Sequence, residues 1–290
     1  MTATDRLSRA ARGRRDRALR ALAQVFQYLL LTLGAVLMVF PFYWMFTTAF
    51  KTNAEAVSFP PILFPENWLL DNFVAAFNQA PFGDYFVNSI IITVGSVIVT
   101  GVTTILGAFA FSRLKFPGRT LIFSLLLSLM MVPFEMLVIT NYTTVAKLGL
   151  MDTKISMIFP FMSSIFYTYI LRNFFASIPD SLYWSARVDG SSNWHYLWKV
   201  MVPIARPSLV TIMLLNAIAS WNSFMWPMLV TTTKLNRTLT LGLYVFTSED
   251  GAQPNKYMAA STIVVLPIII LFLFARKQIV GGVARGGLKG

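Results

Sequence analysis

The sequence has no cysteine and a single histidine, His195. Disulfide frameworks, thiolate metal sites and cysteine nucleophiles are thereby excluded, and one imidazole without an evident companion leaves little for acid-base or metal chemistry. Charge is scarce as well: 12% of the 290 residues are Asp, Glu, Lys or Arg, against about 25% in soluble domains. No G-x-x-x-x-G-K-[ST] run occurs, so no phosphate-binding loop of that type is expected. The expectation is of no catalytic residue, no metal site and no cofactor held by this chain.

What is present is apolar: 56% of the residues are hydrophobic and the mean hydropathy is +0.63, which places the chain in a lipid bilayer. The net charge of +12 does not indicate nucleic acid, because the basic residues are scattered over short segments between apolar runs, as membrane topology signals are. The basic start, "DRLSRAARGRRDRALRALAQ", leads into an apolar run reaching Phe50 with no charge after Arg20. That is too long for a signal peptide and lacks a small-x-small cleavage site, so it reads as a retained first span.

A helix needs about 20 apolar residues to cross the hydrocarbon core. Six stretches qualify: residues 24–46, 85–111, 120–142, 155–174, 208–231 and 257–275. The expected fold class is an all-α integral membrane protein with a basic tail over 1–23, a six-helix domain over 24–277 and a second tail over 278–290. With six spans both termini share a side, and 18 of the 24 Lys and Arg fall on it. The positive-inside rule then puts both termini in the cytoplasm. The connections over 47–84, 143–154 and 232–256 become external, and residues 177–207 form the longest internal loop.

Within that loop Asp180 or Ser181 is placed to cap a helix, nothing breaks the stretch to Val188, and Gly190 suits the left-handed turn that ends helices. A second short helix is expected after capping residues Ser191 and Ser192, ending at Pro203. The exposed chemistry of this knob reads as aromatic, through Tyr183, Trp184, Trp194, Tyr196 and Trp198. Such residues serve either as a belt at the lipid headgroups or as anchors in a groove of a cytoplasmic partner.

The spacing here resembles that of the inner-membrane permeases of bacterial ATP-binding-cassette importers. Their signature is Glu-Ala-Ala, three residues, Gly, nine residues, Ile, one residue, Leu-Pro. This chain has Trp184, Ser185 and Ala186, then Gly190, then Val200, Met201, Val202 and Pro203 at the same intervals. "IPDSLYWSARVDGSS" is similar to the form found in sugar importers, and "FAFSRLKFPGR", "LGLMDT", "WNSFMWPMLV" and "GGVARGGLKG" extend the resemblance over nearly all of residues 20–290. It is closest to the MalG-like subunits that import oligosaccharides or glycerol phosphates. One departure stands out: Trp184 occupies the position where the family usually has Glu.

The resemblance implies a type I importer permease fold in a bacterial cytoplasmic membrane, transporting a small-molecule solute. It also implies three partners: a second related permease, a cytoplasmic ATPase dimer that holds ATP and Mg, and an extracytoplasmic solute-binding protein. Trp184, Ser185, Ala186, Asp189, Gly190, Ser191 and Pro203 would then form the contact through which the ATPase drives transport.

Residues for the solute path are sought among polar groups inside spans. Ser89, Thr93, Ser96, Thr100, Thr103 and Gly107 recur at intervals of three and four, on one helical face. That face suits close helix packing or a polar track. In the fifth stretch Asn216, Ser220 and Ser223 share a face, with Trp221 and Asn222 beside it, suiting either a hydrated path or a hydrogen-bonded seam. Glu135 is the only acid inside an apolar stretch and on a straight helix would share a face with Ser124, Ser128 and Tyr142. An intramembrane carboxylate reads as functional or as reached by outside water. An ion-coupled secondary transporter is the alternative, but Glu135 alone supplies the ionisable chemistry it needs and no repeat is evident.

Overall fold

A computed structural model describes residues 3–244, 246 and 253–287. Residues 1–2 and 288–290 of the expected tails, and 245 and 247–252 of the expected external connection, lie outside the described residues. Among the described residues all regular structure is helical. The described residues up to 73, with 253–262, form one compact unit, and those from 74 to 246, with 263–287, a second.

In the first unit α1 runs from Ala3 to Ala49, so the basic tail and the first span are one helix. Its segment Leu19–Ala49 is long and apolar enough to span a membrane and carries no charge after Arg20. Just beyond its end Lys51 is fully buried. Its ammonium donates to the Ile62 carbonyl at 2.6 Å and to the Thr48 hydroxyl at 3.3 Å, and lies 4.0 Å from the Trp44 ring centroid. Burial pulls the amine below its ordinary basicity, against the opposing pull of Glu55. The same turn is tied by Asn72, whose amide donates to Ala49 and Lys51 carbonyls at 2.9 and 2.8 Å, and by Asn255, which donates to Asn72 Oδ1 at 3.0 Å. Lys51, counted from sequence as an external charge, thus folds the connection back on the helix end. A reciprocal cap follows: Glu55 N–H donates to the Thr52 hydroxyl and Thr52 N–H to the Glu55 carboxylate, starting the short α2, Asn53–Ala56. After it comes α3, Asp71–Gln79.

The second unit is organised by α4, Phe82–Arg113, which at 1.5 Å per residue is about 48 Å long. Its small and polar face packs inward. Ser89 accepts from Leu239 N–H at 2.8 Å, Thr100 donates to the Phe161 carbonyl at 2.9 Å and Thr103 to the Met162 carbonyl at 2.7 Å. A Cβ on Gly107 would sit 3.1 Å from Thr168. Most of this face is therefore a packing and hydrogen-bonding seam, with one polar opening described below.

Among the described residues three helices are long and apolar enough to cross a membrane, Leu19–Ala49, Phe82–Arg113 and Pro254–Phe274, and the number rises to six if each of three bent pairs counts as one span. The bends correct the expectation of continuous spans. The stretch expected at 120–142 is α5, Arg119–Leu129, and α6, Phe134–Lys147, at 98° to each other. Pro133 lacks the N–H that would continue the ladder and holds an extended conformation before α6. Glu135 and Tyr142 therefore do not share a helix with Ser124 and Ser128. The stretch expected at 155–174 breaks after Pro160: α7, Lys154–Ile158, continues as a 3-10 turn to Phe161, and α8, Ile165–Ser177, starts at 50° to it behind the Ser164 cap. The fifth stretch ends as a helix at Trp221, not at 231, and resumes only over Met225–Val230.

Candidate functional site: the two-helix knob and the polar cavity

The loop expected over 177–207 folds as two helices. α9, Asp180–Val188, starts after Pro179 with no side-chain cap, so neither Asp180 nor Ser181 plays the expected capping role. It ends as expected at Gly190, whose φ of +79° is open to glycine without strain. Across that turn Ser191 N–H donates to the Ala186 carbonyl at 2.9 Å, and the Arg187 guanidinium donates back to the Ser191 carbonyl at 3.1 Å. Ser192, not Ser191, caps the next helix by accepting from His195 N–H.

That helix, α10, spans Asn193–Ile204 and bends by 81° into α11, Arg206–Trp221. Pro203 does not stop it, contrary to expectation. The helix widens to a π turn over Leu197–Met201, passes Pro203 in the next turn, and gives way only at Ala205. A wide turn ahead of the proline is where the backbone accommodates its missing donor.

Two faces separate clearly. Tyr196, Leu197, Met201 and Ala205 are buried in one cluster with Ile105, Ala108 and Phe109 of α4 and with Leu171, Phe175 and Ile178, and Tyr183 and Ala186 of α9 pack against it. Tyr183 and Tyr196 meet edge to face at 5.1 Å, and the Tyr183 hydroxyl donates to Asn193 Oδ1 at 3.1 Å. The opposite face shows Trp184 at 59%, Val188 at 88% and Trp194 at 62% exposure. Ser185, Asp189 and Pro203 are also exposed, and Ser191 is half-buried. The expected group of five exposed aromatics is corrected: Trp184 and Trp194 are outside, Tyr183 and Trp198 half-buried, and Tyr196 is core. Their spacing along two short helices joined by a left-handed turn decides which side each takes.

A residue that the sequence presented only as a topology charge holds this knob to α4. Arg113 closes α4; one guanidinium nitrogen donates to the Asp180 carboxylate, and the other to the Phe175 and Ile178 carbonyls at 2.9 and 2.5 Å. Nothing local to "FSRLKF" signals a partner 62 to 67 residues away.

The second feature is a cavity of about 140 Å³ inside the same unit. Ser96 of α4 and Asn216, Ser220 and Ser223 form its polar wall, and Ile92, Met157, Phe161, Ala219, Pro227 and Thr238 the rest. Asn216 and Ser220 are thus brought together as the helical spacing anticipates. Trp221 points elsewhere: it is buried, with its indole N–H donating to the Val264 carbonyl at 3.1 Å. Asn222 caps the end of α11 and is exposed. Glu135 lies exposed in the first turn of α6, where an acid suits the helix dipole, and does not line the cavity.

A family model described as the binding-protein-dependent transport system inner membrane component matches residues 103–285. The inner membrane ABC transporter permease protein YcjP of Escherichia coli K12 is 32% identical over 275 residues, covering 93% of this chain and 98% of its own length. The diacetylchitobiose uptake system permease protein NgcG of Streptomyces coelicolor is 28% identical over 285 residues, covering 97% and 92%. Among solved structures, that of a bacterial ABC transporter involved in the import of the acidic polysaccharide alginate has a chain with a TM-score of 0.81 at 23% identity, covering 89% of this chain and 96% of that one. The fold is thus one already seen in a solved ABC transporter chain. The chain belongs to the binding-protein-dependent transport system inner membrane components, the non-catalytic, multi-pass permease subunits of ABC transporters.

Proposed function

We propose that this chain forms half of the translocation path of an ATP-driven importer for a sugar, oligosaccharide or glycerol-phosphate-type solute. A second related permease would supply the other half, and a solute-binding protein would deliver the solute from outside. A cytoplasmic ATPase dimer, holding ATP and Mg, would drive the cycle through α9 and α10. Both termini face the cytoplasm in this reading, since the basic residues gather on that side. The names of the relatives support a carbohydrate as solute.

The observation that carries the coupling role is the division of the knob into two faces. Apolar groups that remain exposed at Trp184, Val188 and Trp194 on a rigidly backed element form a surface suited to seat in a partner's cleft. Because the chain has no cysteine, single cysteines placed at Ser185 or Ser191 should cross-link to the ATPase in the purified complex. Labelling of these positions only by lipid-borne reagents would assign the aromatics to the headgroup belt instead. Accumulation of solute on an ion gradient by this chain reconstituted alone would replace the whole reading with a secondary transporter.

A further inference from the structure

We propose that Arg113 is a positioning residue, a latch that makes α4 and the coupling helix α9 move as one body. The proposal rests on the reading that α9 receives the stroke of an ATPase.

One guanidinium joins three elements. It stands at the end of α4, its Nη2 donates to Phe175 and Ile178 carbonyls at the end of α8, and its Nη1 pairs with Asp180 in the first turn of α9. The last carbonyls of a helix carry partial negative charge and lack acceptor partners within the helix, so a cation placed there is doubly favoured. The Arg113 side chain is only 7% exposed, whereas that of Asp180 is 79% exposed. The carboxylate thus reaches in from the surface to balance a buried cation, and theirs is the single salt bridge among the residues whose side chains are described. Tyr196 of α10, also buried, lies in the field of both charges.

Directionality separates this contact from the surrounding core. Tyr183 and Ala186 lean on the buried cluster that α4, α8 and α10 share through apolar packing, which resists compression but lets surfaces slide because it has no preferred direction. Hydrogen bonds from a planar fork fix register as well as distance. A displacement of α9 is therefore passed to α4 lengthwise. Ser96, which lines the cavity with Asn216, lies 17 residues along the same helix, about 25 Å away.

The test uses the assembled transporter in proteoliposomes, with uptake and ATP hydrolysis measured on one preparation. Arg113→Lys keeps the charge but replaces the planar two-nitrogen fork with one compact ammonium that cannot span the separated Asp180 and Phe175/Ile178 acceptors, and should lower solute transported per ATP by about tenfold while hydrolysis continues. Asp180→Asn, on the exposed partner, should lower it less, and the two losses should not add. Independently, spin labels on Lys115→Cys and Ser181→Cys, both surface positions, should report one narrow distance that is the same with and without ATP, and a broad one once Arg113→Lys is added.

A distance that changes with nucleotide in the otherwise native chain, or an unchanged transport ratio in both variants, overturns the latch. If Arg113→Lys does not assemble, Asp180→Asn decides by the same two readouts. A native complex without any ATP-linked uptake would count against the proposed function, whereas the latch is judged by the label distance.

Discussion

The Ser96 hydroxyl donates to Asn216 Oδ1 at 3.3 Å, joining α4 to α11 at the wall of the polar cavity. Hydrogen bonds between membrane helices contribute about 0.6 kcal/mol on average, so Ser96→Ala should lower the thermal stability of the purified protein only slightly. Asn216→Leu removes the acceptor and turns the wall apolar. Solute uptake should fall several-fold while the complex still assembles. Native uptake in Asn216→Leu would class the pair as a structural seam.

Gly190 has a φ of +79° and no atom within 4 Å of where a Cβ would stand. Replacement therefore meets backbone strain alone, about 1–2 kcal/mol for a non-glycine residue. Gly190→Val should reduce uptake per ATP, and Gly190→Asn, which tolerates this conformation, should retain most of it. Equal transport ratios for the two variants would remove the turn from the mechanism.

Trp184 is 59% exposed and touches Tyr183 edge to face at 5.3 Å. Little of the fold depends on it, so Trp184→Glu should change stability by no more than about 0.5 kcal/mol. Truncating an aromatic interface anchor typically costs more than 1 kcal/mol, so binding of the ATPase should weaken by about tenfold. Tighter binding of the Glu variant would mean that the cleft is basic and that the tryptophan is a tolerated replacement.

Asp152 ties two connections between apolar stretches together. Its carboxylate accepts from Thr232 and Thr233 N–H at 3.0 and 3.2 Å, and its carbonyl from Asn236 at 2.7 Å. Burial raises its pKa, but the hydrogen bonds from Thr233, Thr232 and Asn236 outweigh that and hold it below the usual 3.8. A lowered folded-state pKa adds stability that is present above the unfolded value and lost as pH falls through the folded one. Amide exchange at Thr232 and Thr233 should therefore quicken only below about pH 4. Asp152→Asn, which keeps an acceptor without titrating, should flatten that dependence; an unaltered profile would show that another group controls it.

Much of the loop around Gly190 was legible because its signals are local. Gly190 needs only its own φ, and Ser192 caps through an N–H three residues on. The sharing of a face by Asn216 and Ser220 follows from helical spacing. What was not legible depends on distant chain. The pairing of Arg113 with Asp180 and the burial of Lys51 against Ile62 look in sequence like ordinary flanking charges, since nothing nearby records what they reach. Pro203 and Pro133 illustrate a third case. Both announce a disturbed ladder, but whether the helix widens and carries past the proline before it bends, as at Pro203, or breaks ahead of it, as at Pro133, is decided by what packs around it.

The break at Met130–Pro133 sets a condition on its surroundings. Arms of 11 and 14 residues measure about 17 and 21 Å, each short of the roughly 30 Å of a bilayer's oily interior. Carbonyls at such an elbow are not tolerated against acyl tails and need protein or water beside them. Wherever this elbow meets the hydrocarbon layer, its bent shape therefore requires neighbouring chain, its own or another subunit's, or water beside it.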